Sequence, residues 1–138
     1  MKLGFVLWNY NGLKGENIMG EEMKNKFGFE VRHVGINCEN EEEALKVAEK
    51  FELLFGFTKK VGNSSVFAGT GVEVMKTPYL GKNGHIAIGT TDIEGAIEYL
   101  QSKGIVFDQA TAKYKNEKMI AIYMNEEVGG FAIHLVQK

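Results

Sequence analysis

From Phe27 onward the hydrophobic pattern of the chain runs through the same cycle twice. The first cycle opens with an apolar-rich strand over Glu30–Cys38, EVRHVGINC. A helix is predicted over Asn40–Phe55, with Asn40 and Glu43 at capping-box spacing. Ala44, Val47, Ala48, Phe51, Leu54 and Phe55 recur at intervals of three and four and define its expected buried stripe. Gly56 stands where a helix-ending glycine belongs. Short strands are expected around Phe57–Val61, Ser65–Ala68 and Val72–Met75, punctuated by Gly62–Asn63 and Gly69–Gly71.

The second cycle opens at His85 with HIAIGTTD. Its helix is predicted over about Asp92–Lys103, with Thr91 and Glu94 at capping-box spacing and Gly104 as the stop. Strands follow near Ile105–Phe107, Met119–Met124 and Gly130–Gln137, with loops at Asn116–Lys118 and Asn125–Gly129. His33 and His85, which sit early in the two opening strands, are 52 residues apart. The economical reading is an α+β fold of two tandem β-α-β-β-β modules, one at about 29–76 and the other at about 84–138. Residues 1–26 lie outside the repeat as an N-terminal extension, expected to be docked, and carry the apolar run Phe5–Trp8. Met19 and Met23 are alternative starts.

Strand parity brings in the chemistry. Alternate residues of a strand face opposite sides of its sheet. His33 shares a face with Gly35 and Asn37, His85 with Ala87 and Gly89, Glu73 with Gly71 and Met75, and His134 with Ala132 and Val136. The opposite faces carry Val34, Ile36 and Cys38; Ile86 and Ile88; Val72 and Val74; Ile133 and Leu135. Each of these strands therefore has one bulky apolar face and one face where a single metal-capable side chain stands beside Gly or Ala. All three histidines of the chain occupy such a position. Taken singly, each is better explained as an ordinary strand residue. Taken together, three imidazoles and a carboxylate suit a divalent metal ion such as Zn, Ni, Fe or Mn.

Composition narrows the field. The 138 residues carry 16 basic and 18 acidic side chains, a net charge of −2, and 44% are hydrophobic, which suits one soluble domain. A weakly acidic balance without a basic cluster argues against nucleic acid or anionic membrane as a partner. Phe5–Trp8, the longest apolar run, is too short to span a bilayer. A lone cysteine, Cys38, excludes an internal disulfide and makes a reducing cytoplasm the expectation. It falls on the apolar parity of its strand and reads as a core residue rather than a nucleophile. Gly69-Thr70-Gly71 matches neither a phosphate-binding loop nor a dinucleotide fingerprint. Lys76–Lys82, between the modules, reads as a solvated linker; the alternative is a cup-edge loop whose Lys76, Tyr79 and Lys82 meet an anionic substrate.

The segments HVGINCENEEEALKVAEKFELLFGF, GVEVM, GHIAIGTTDIEGAIEYLQSKGIVF and GGFAIHLVQ resemble the vicinal-oxygen-chelate superfamily, which includes glyoxalase I, bleomycin-resistance proteins and extradiol dioxygenases. The resemblance covers about Phe29–Lys138. It implies a cupped, incomplete barrel around a metal, with ligands from the first and last strands of each module: His33, Glu73, His85 and His134. The departure is His134, where glyoxalase-type sequences usually carry Glu. A narrower resemblance, in GFEVRHVGINCENEEEA and NSSVFAGTGVEVMKTPYLGKNGHIAI, is to a glyoxalase-like domain that accompanies 2-dehydro-3-deoxyphosphogluconate aldolases in some bacteria. Any aldolase activity would belong to a separate barrel, since 138 residues fall far below the roughly 250 such a barrel needs.

Three functions compete. One is a metal-dependent lyase or isomerase acting on a small substrate that offers two neighbouring oxygens, with Glu73 as the catalytic base. Another is a non-haem iron oxygenase, which wants two histidines, one carboxylate and open positions, one of which a third imidazole would fill. The last is a non-enzymatic small-molecule binding module or accessory domain. A homodimer is expected, with Phe5–Trp8 as a surface to be covered.

Overall fold

A computed structural model of the chain describes residues 20–138. A helix over 20–27, α1, leads into β1 (Glu30–Asn37), α2 (Glu41–Phe55), β2 (Lys59–Val61), β3 (Ser65–Ala68) and β4 (Val72–Met75). The second module supplies β5 (Gly84–Thr90), α3 (Ile93–Ser102), β6 (Phe107–Lys115), β7 (Lys118–Val128) and β8 (Phe131–Gln137). The eight strands form one open sheet in the order β2-β3-β4-β1-β5-β8-β7-β6. That order is the same on both sides of the β1–β5 seam. β1 runs parallel to β4 and β5 parallel to β8, while β1 and β5 meet antiparallel. The fold class is therefore the expected α+β repeat.

The two helices cover the apolar face of the sheet with two separate cores. Cys38, Ala44, Ala48, Val66, Ala68 and Val74 form one beneath α2. Phe27, Ile93, Ala96, Phe107, Ile122 and Leu135 form the other beneath α3. Phe27, at the end of α1, is buried, and its carbonyl accepts hydrogen bonds from Thr91 N and Thr90 Oγ1. The helix over 20–27 is thus tied to the second module. The Phe5–Trp8 run lies outside the described residues.

The helix signals hold with two corrections. The Asn40 side chain caps α2 by accepting from Glu43 N, the glutamates at 41–43 fill its first turn, and Gly56 ends it in the left-handed region at φ 72°. In α3 the cap is Asp92, which accepts from Gly95 N, and not Thr91. Asp92 wins because a carboxylate also complements the helix N-terminus. The other correction is the end of the α2 stripe: Leu54 and Phe55 are 58% and 61% exposed. The three-residue edge strand β2 leaves the last turn of α2 overhanging the sheet.

The larger difference lies in the second module. β6 extends to Lys115 rather than ending near Phe107, and β7 continues to Val128 through the segment expected to loop. Asn116 and Glu117, with φ of 52° and 65°, make the tight two-residue turn between them. β6 is an edge strand, mostly exposed on both faces, so it lacks the apolar alternation that marks a half-buried strand.

Candidate metal centre

The four residues singled out by parity come together. They lie on β4, β1, β5 and β8, the four adjacent strands at the middle of the sheet, all on the face away from the helices. The strand register arranges them as a checkerboard. Across one row Glu73 pairs with Gly35, Gly35 with His85, and His85 with Ala132. Across the neighbouring row His33 pairs with Ala87, Ala87 with His134, and His134 with Tyr123. Every large polar side chain thus has a Gly or Ala beside it to lean across. Gly35 is the tightest case, because a Cβ there would overlap Cε1 and Nδ1 of the His85 ring.

His33 Nε2 lies 3.1 Å from His85 Nε2, and Glu73 Oε1 lies 3.2 Å from the first and 3.0 Å from the second. Each ring brings at most one proton to its Nε2, so these three contacts share at most two protons. If both nitrogens donate to Glu73, the nitrogens face each other as donors. A cation at their centre removes that conflict. Ligand atoms about 2.0–2.2 Å from one ion sit roughly 3.0–3.6 Å apart, which is the spacing found here. His134 completes the group, since one ring nitrogen from each histidine lies within 4.8 Å of the others. Both nitrogens of His134, and Nδ1 of His85, are buried without a hydrogen-bond partner among the described residues. Orphaned buried nitrogens are costly, and a metal ion is a partner that uses an imidazole lone pair. The residues fit a divalent ion.

Burial opposes ionisation of Glu73, but hydrogen bonds from His33, His85 and Ser65 outweigh it and hold the carboxyl well below its usual range. The Ser65 hydroxyl donates to Oε2 at 2.7 Å, leaving Oε1 to face the histidines. His134 is pressed down to about 3, by burial first and then by the positive charge that His85 and His33 can carry. Its ring lies parallel to that of Tyr123, 4.3 Å away. Burial, then the nearby Tyr79 and Glu73, push the Tyr123 hydroxyl up, so it stays protonated at neutral pH.

These groups floor a cavity of about 470 Å³. Met75, Ile120 and Val136 give it apolar walls, and Tyr79, Lys113 and Lys115 add polar ones. Of the linker residues, Tyr79 reaches the cavity, anchored by Asn37, which accepts from Tyr79 N and donates to the Tyr79 and Gly81 carbonyls. Lys76 instead pairs with Glu41 at 2.7 Å, and Lys82 is not part of the cavity wall. Tyr123, Lys113 and Lys115 were not anticipated from sequence. The signal available was the alternation Thr111, Lys113, Lys115 in ATAKYK, running into the Asn116 turn.

By sequence the chain matches no protein-family model and no curated protein. By structure it is similar to a variant of methylmalonyl-CoA epimerase from Streptomyces coelicolor in complex with 2-nitronate-propionyl-CoA (16% identity, TM-score 0.56, 79% of this chain and 94% of that one). It is also similar to methylmalonyl-CoA epimerase from Mycobacterium tuberculosis (17% identity, TM-score 0.51, 78% and 86%). A mutant of 4-hydroxymandelate synthase from S. coelicolor aligns with 79% of this chain but only 48% of its own (16% identity, TM-score 0.53). These likenesses show that the chain shares the fold of these proteins. Among the described residues no helix is long and apolar enough to cross a membrane.

Two predictions follow from the geometry. Gly35→Ala should drive His85 out of its place while leaving the fold intact. Divalent-metal affinity should fall by at least about tenfold, with an unchanged far-UV circular dichroism spectrum; unaltered affinity would mean that the ring is not held by this contact. The second concerns acid. In the unfolded chain His134 takes up a proton near its ordinary 6.5, whereas the folded site refuses it down to about 3. Stability of chelator-treated protein is therefore full above about pH 6.5 and falls as the pH drops, by up to about 1.4 kcal/mol per pH unit. Glu73 adds to that loss only below its ordinary 4.5, since its folded value is lowered. Thermal denaturation between about pH 7 and pH 5 should show the loss, and His134→Phe should flatten it.

Proposed function

We propose that the chain is a metal-dependent protein of the glyoxalase type that acts on a small substrate offering two neighbouring oxygens, such as a 2-oxo acid or 2-oxoaldehyde. His33, Glu73, His85 and His134 would hold one divalent ion, with Zn, Ni, Fe or Mn all compatible with the donors. The observation that carries this reading is the crowded contact of His33, His85 and Glu73 beside the orphaned nitrogens of His134. The bound ion would supply Lewis-acid polarisation of a substrate carbonyl.

The residues of the chain supply the rest. Glu73 is the one carboxylate of the cavity wall and the candidate to take a proton from the substrate. Its low proton affinity makes it a weak base, because Ser65, His33 and His85 all stabilise its charged form. Tyr123, kept protonated, is placed to donate a hydrogen bond rather than accept a proton. An imidazole at 134 that gives its lone pair to a metal is no substitute for a second carboxylate. Proton transfer should therefore be slow. That weakness also supports the second reading, a binding module that sequesters its ligand or an accessory domain beside an aldolase of sugar acids.

Protein purified without chelators should carry about one divalent ion per chain by elemental analysis. His33→Ala and His85→Ala should each lose most of it. A chain that stays metal-free even after reconstitution overturns the proposal. With metal bound, the hemithioacetal of methylglyoxal and glutathione should turn over slowly or not at all, and His134→Glu should keep the metal and raise the rate. Wild-type turnover of about 10 per second or more would mean that Glu73 alone suffices.

A homodimer belongs to the same proposal. Leu53, Leu54 and Phe55 on α2 are exposed beside Phe57 and Val61, and the Phe55 and Phe57 rings lie 5.8 Å apart. A contiguous apolar patch of this kind suits a second copy as its cover. Sedimentation at micromolar concentration should give a dimer that Leu53→Glu weakens; a wild-type monomer would contradict it.

A further inference from the structure

We propose that the substrate carries a further anionic group, carboxylate or phosphate, and that Lys113 and Lys115 of the edge strand β6 bind it. The proposal deepens the reading just given and rests on it for the reacting end of the substrate. Both lysines line the same cavity as the His33, Glu73, His85 and His134 set. Neither has an ion-pair partner among the described residues, whereas Lys46, Lys59, Lys76 and Lys138 each pair with a glutamate. Glu117, the acid nearest in sequence, lies in the adjoining turn and pairs with neither.

The strand pairing makes the lack of partners costly. Lys115 stands directly across from Lys118, and like charges facing each other across a ladder repel. Lys113 stands across from Ala121, which leaves its side chain free to extend into the cavity. The one acid of the cavity wall cannot neutralise them. Glu73 Oε1 is engaged by two histidines and Oε2 by Ser65. The wall therefore presents two uncompensated cations facing a site whose only negative charge is already committed. A cavity of about 470 Å³ admits a small molecule. Met75, Ile120 and Val136 add apolar walls that suit a short carbon chain.

Calorimetric titration of the purified protein with pyruvate, 2-oxoglutarate and phosphoglycolate separates the possibilities, with metal content measured on the same samples. At least one of the two larger acids, each with an anionic group at both ends, should bind at least about fivefold more tightly than pyruvate, because charge-assisted hydrogen bonds are the stronger kind. Which of them does so tells a second carboxylate from a phosphate. Lys113→Met with Lys115→Met should shrink the preference to less than about twofold, weakening the larger acid more than pyruvate, while metal content stays the same. The corresponding double arginine variant should retain it. Equal affinities in the wild type, no binding of any probe, or a preference that survives the methionines overturns the proposal. A preference that depends on the lysines in a chain that binds no metal leaves the anion site standing and removes the metal reading instead.

Discussion

The centre depends on one steric constraint: the His85 ring lies against backbone at Gly35, where no side chain can stand. His85 is only 2% exposed, so it has no room to turn elsewhere. Because Gly35 pairs with Glu73 on one side and His85 on the other, the same missing side chain lets the carboxylate and the imidazole meet across β1. Ala87 does the equivalent for His33 and His134. Polar groups converge here because the sheet is small where they cross. The seam between the modules then follows. β1 and β5 must be neighbours and antiparallel for the two rows to interlock, and that pairing also joins the two cores into one molecule.

Such a convergence costs stability, and the apolar side of the sheet supplies the compensation. Val66, Val74, Ile122 and Leu135 are fully or almost fully buried on strands that also frame the site. Their packing holds the strands at a fixed register, and a one-residue slip would turn His33, Glu73, His85 and His134 toward the helices. The tight parallel stack of Tyr123 on His134 extends this order from the ladder to the rings. Glu73 is braced in the same way by Ser65, on the strand next to it.

Much of this was legible in the sequence, for a physical reason. In β1, β4, β5 and β8 one face is apolar and the other small and polar, so parity alone separates core from site, and His33, Glu73, His85 and His134 fall on the correct side. The capping residues Asn40 and Gly56 are local chemistry and read equally well. What escaped is what lacks a buried face. β6 is exposed on its edge, so the stretch that holds Lys113 and Lys115 carried no strand signal. Leu54 and Phe55 keep helical spacing although the sheet beneath them has ended, and periodicity cannot report where a neighbouring strand stops. Asp92 and Thr91 are both good caps, and one residue of slack is the ordinary uncertainty at a helix end.

His134 and the two lysines of β6 are connected through charge. Three neutral imidazoles and one carboxylate around a divalent ion leave a net charge of about +1, where two carboxylates would leave none. The cavity wall adds Lys113 and Lys115 and no further acid. With an ion bound, that excess would favour an anionic guest over a neutral one of the same shape. A site of this charge binds well and abstracts protons poorly. On the proposed reading the electrostatics would favour retention of a small acid, and fast isomerisation would require a stronger base than Glu73, whose charged form Ser65, His33 and His85 stabilise.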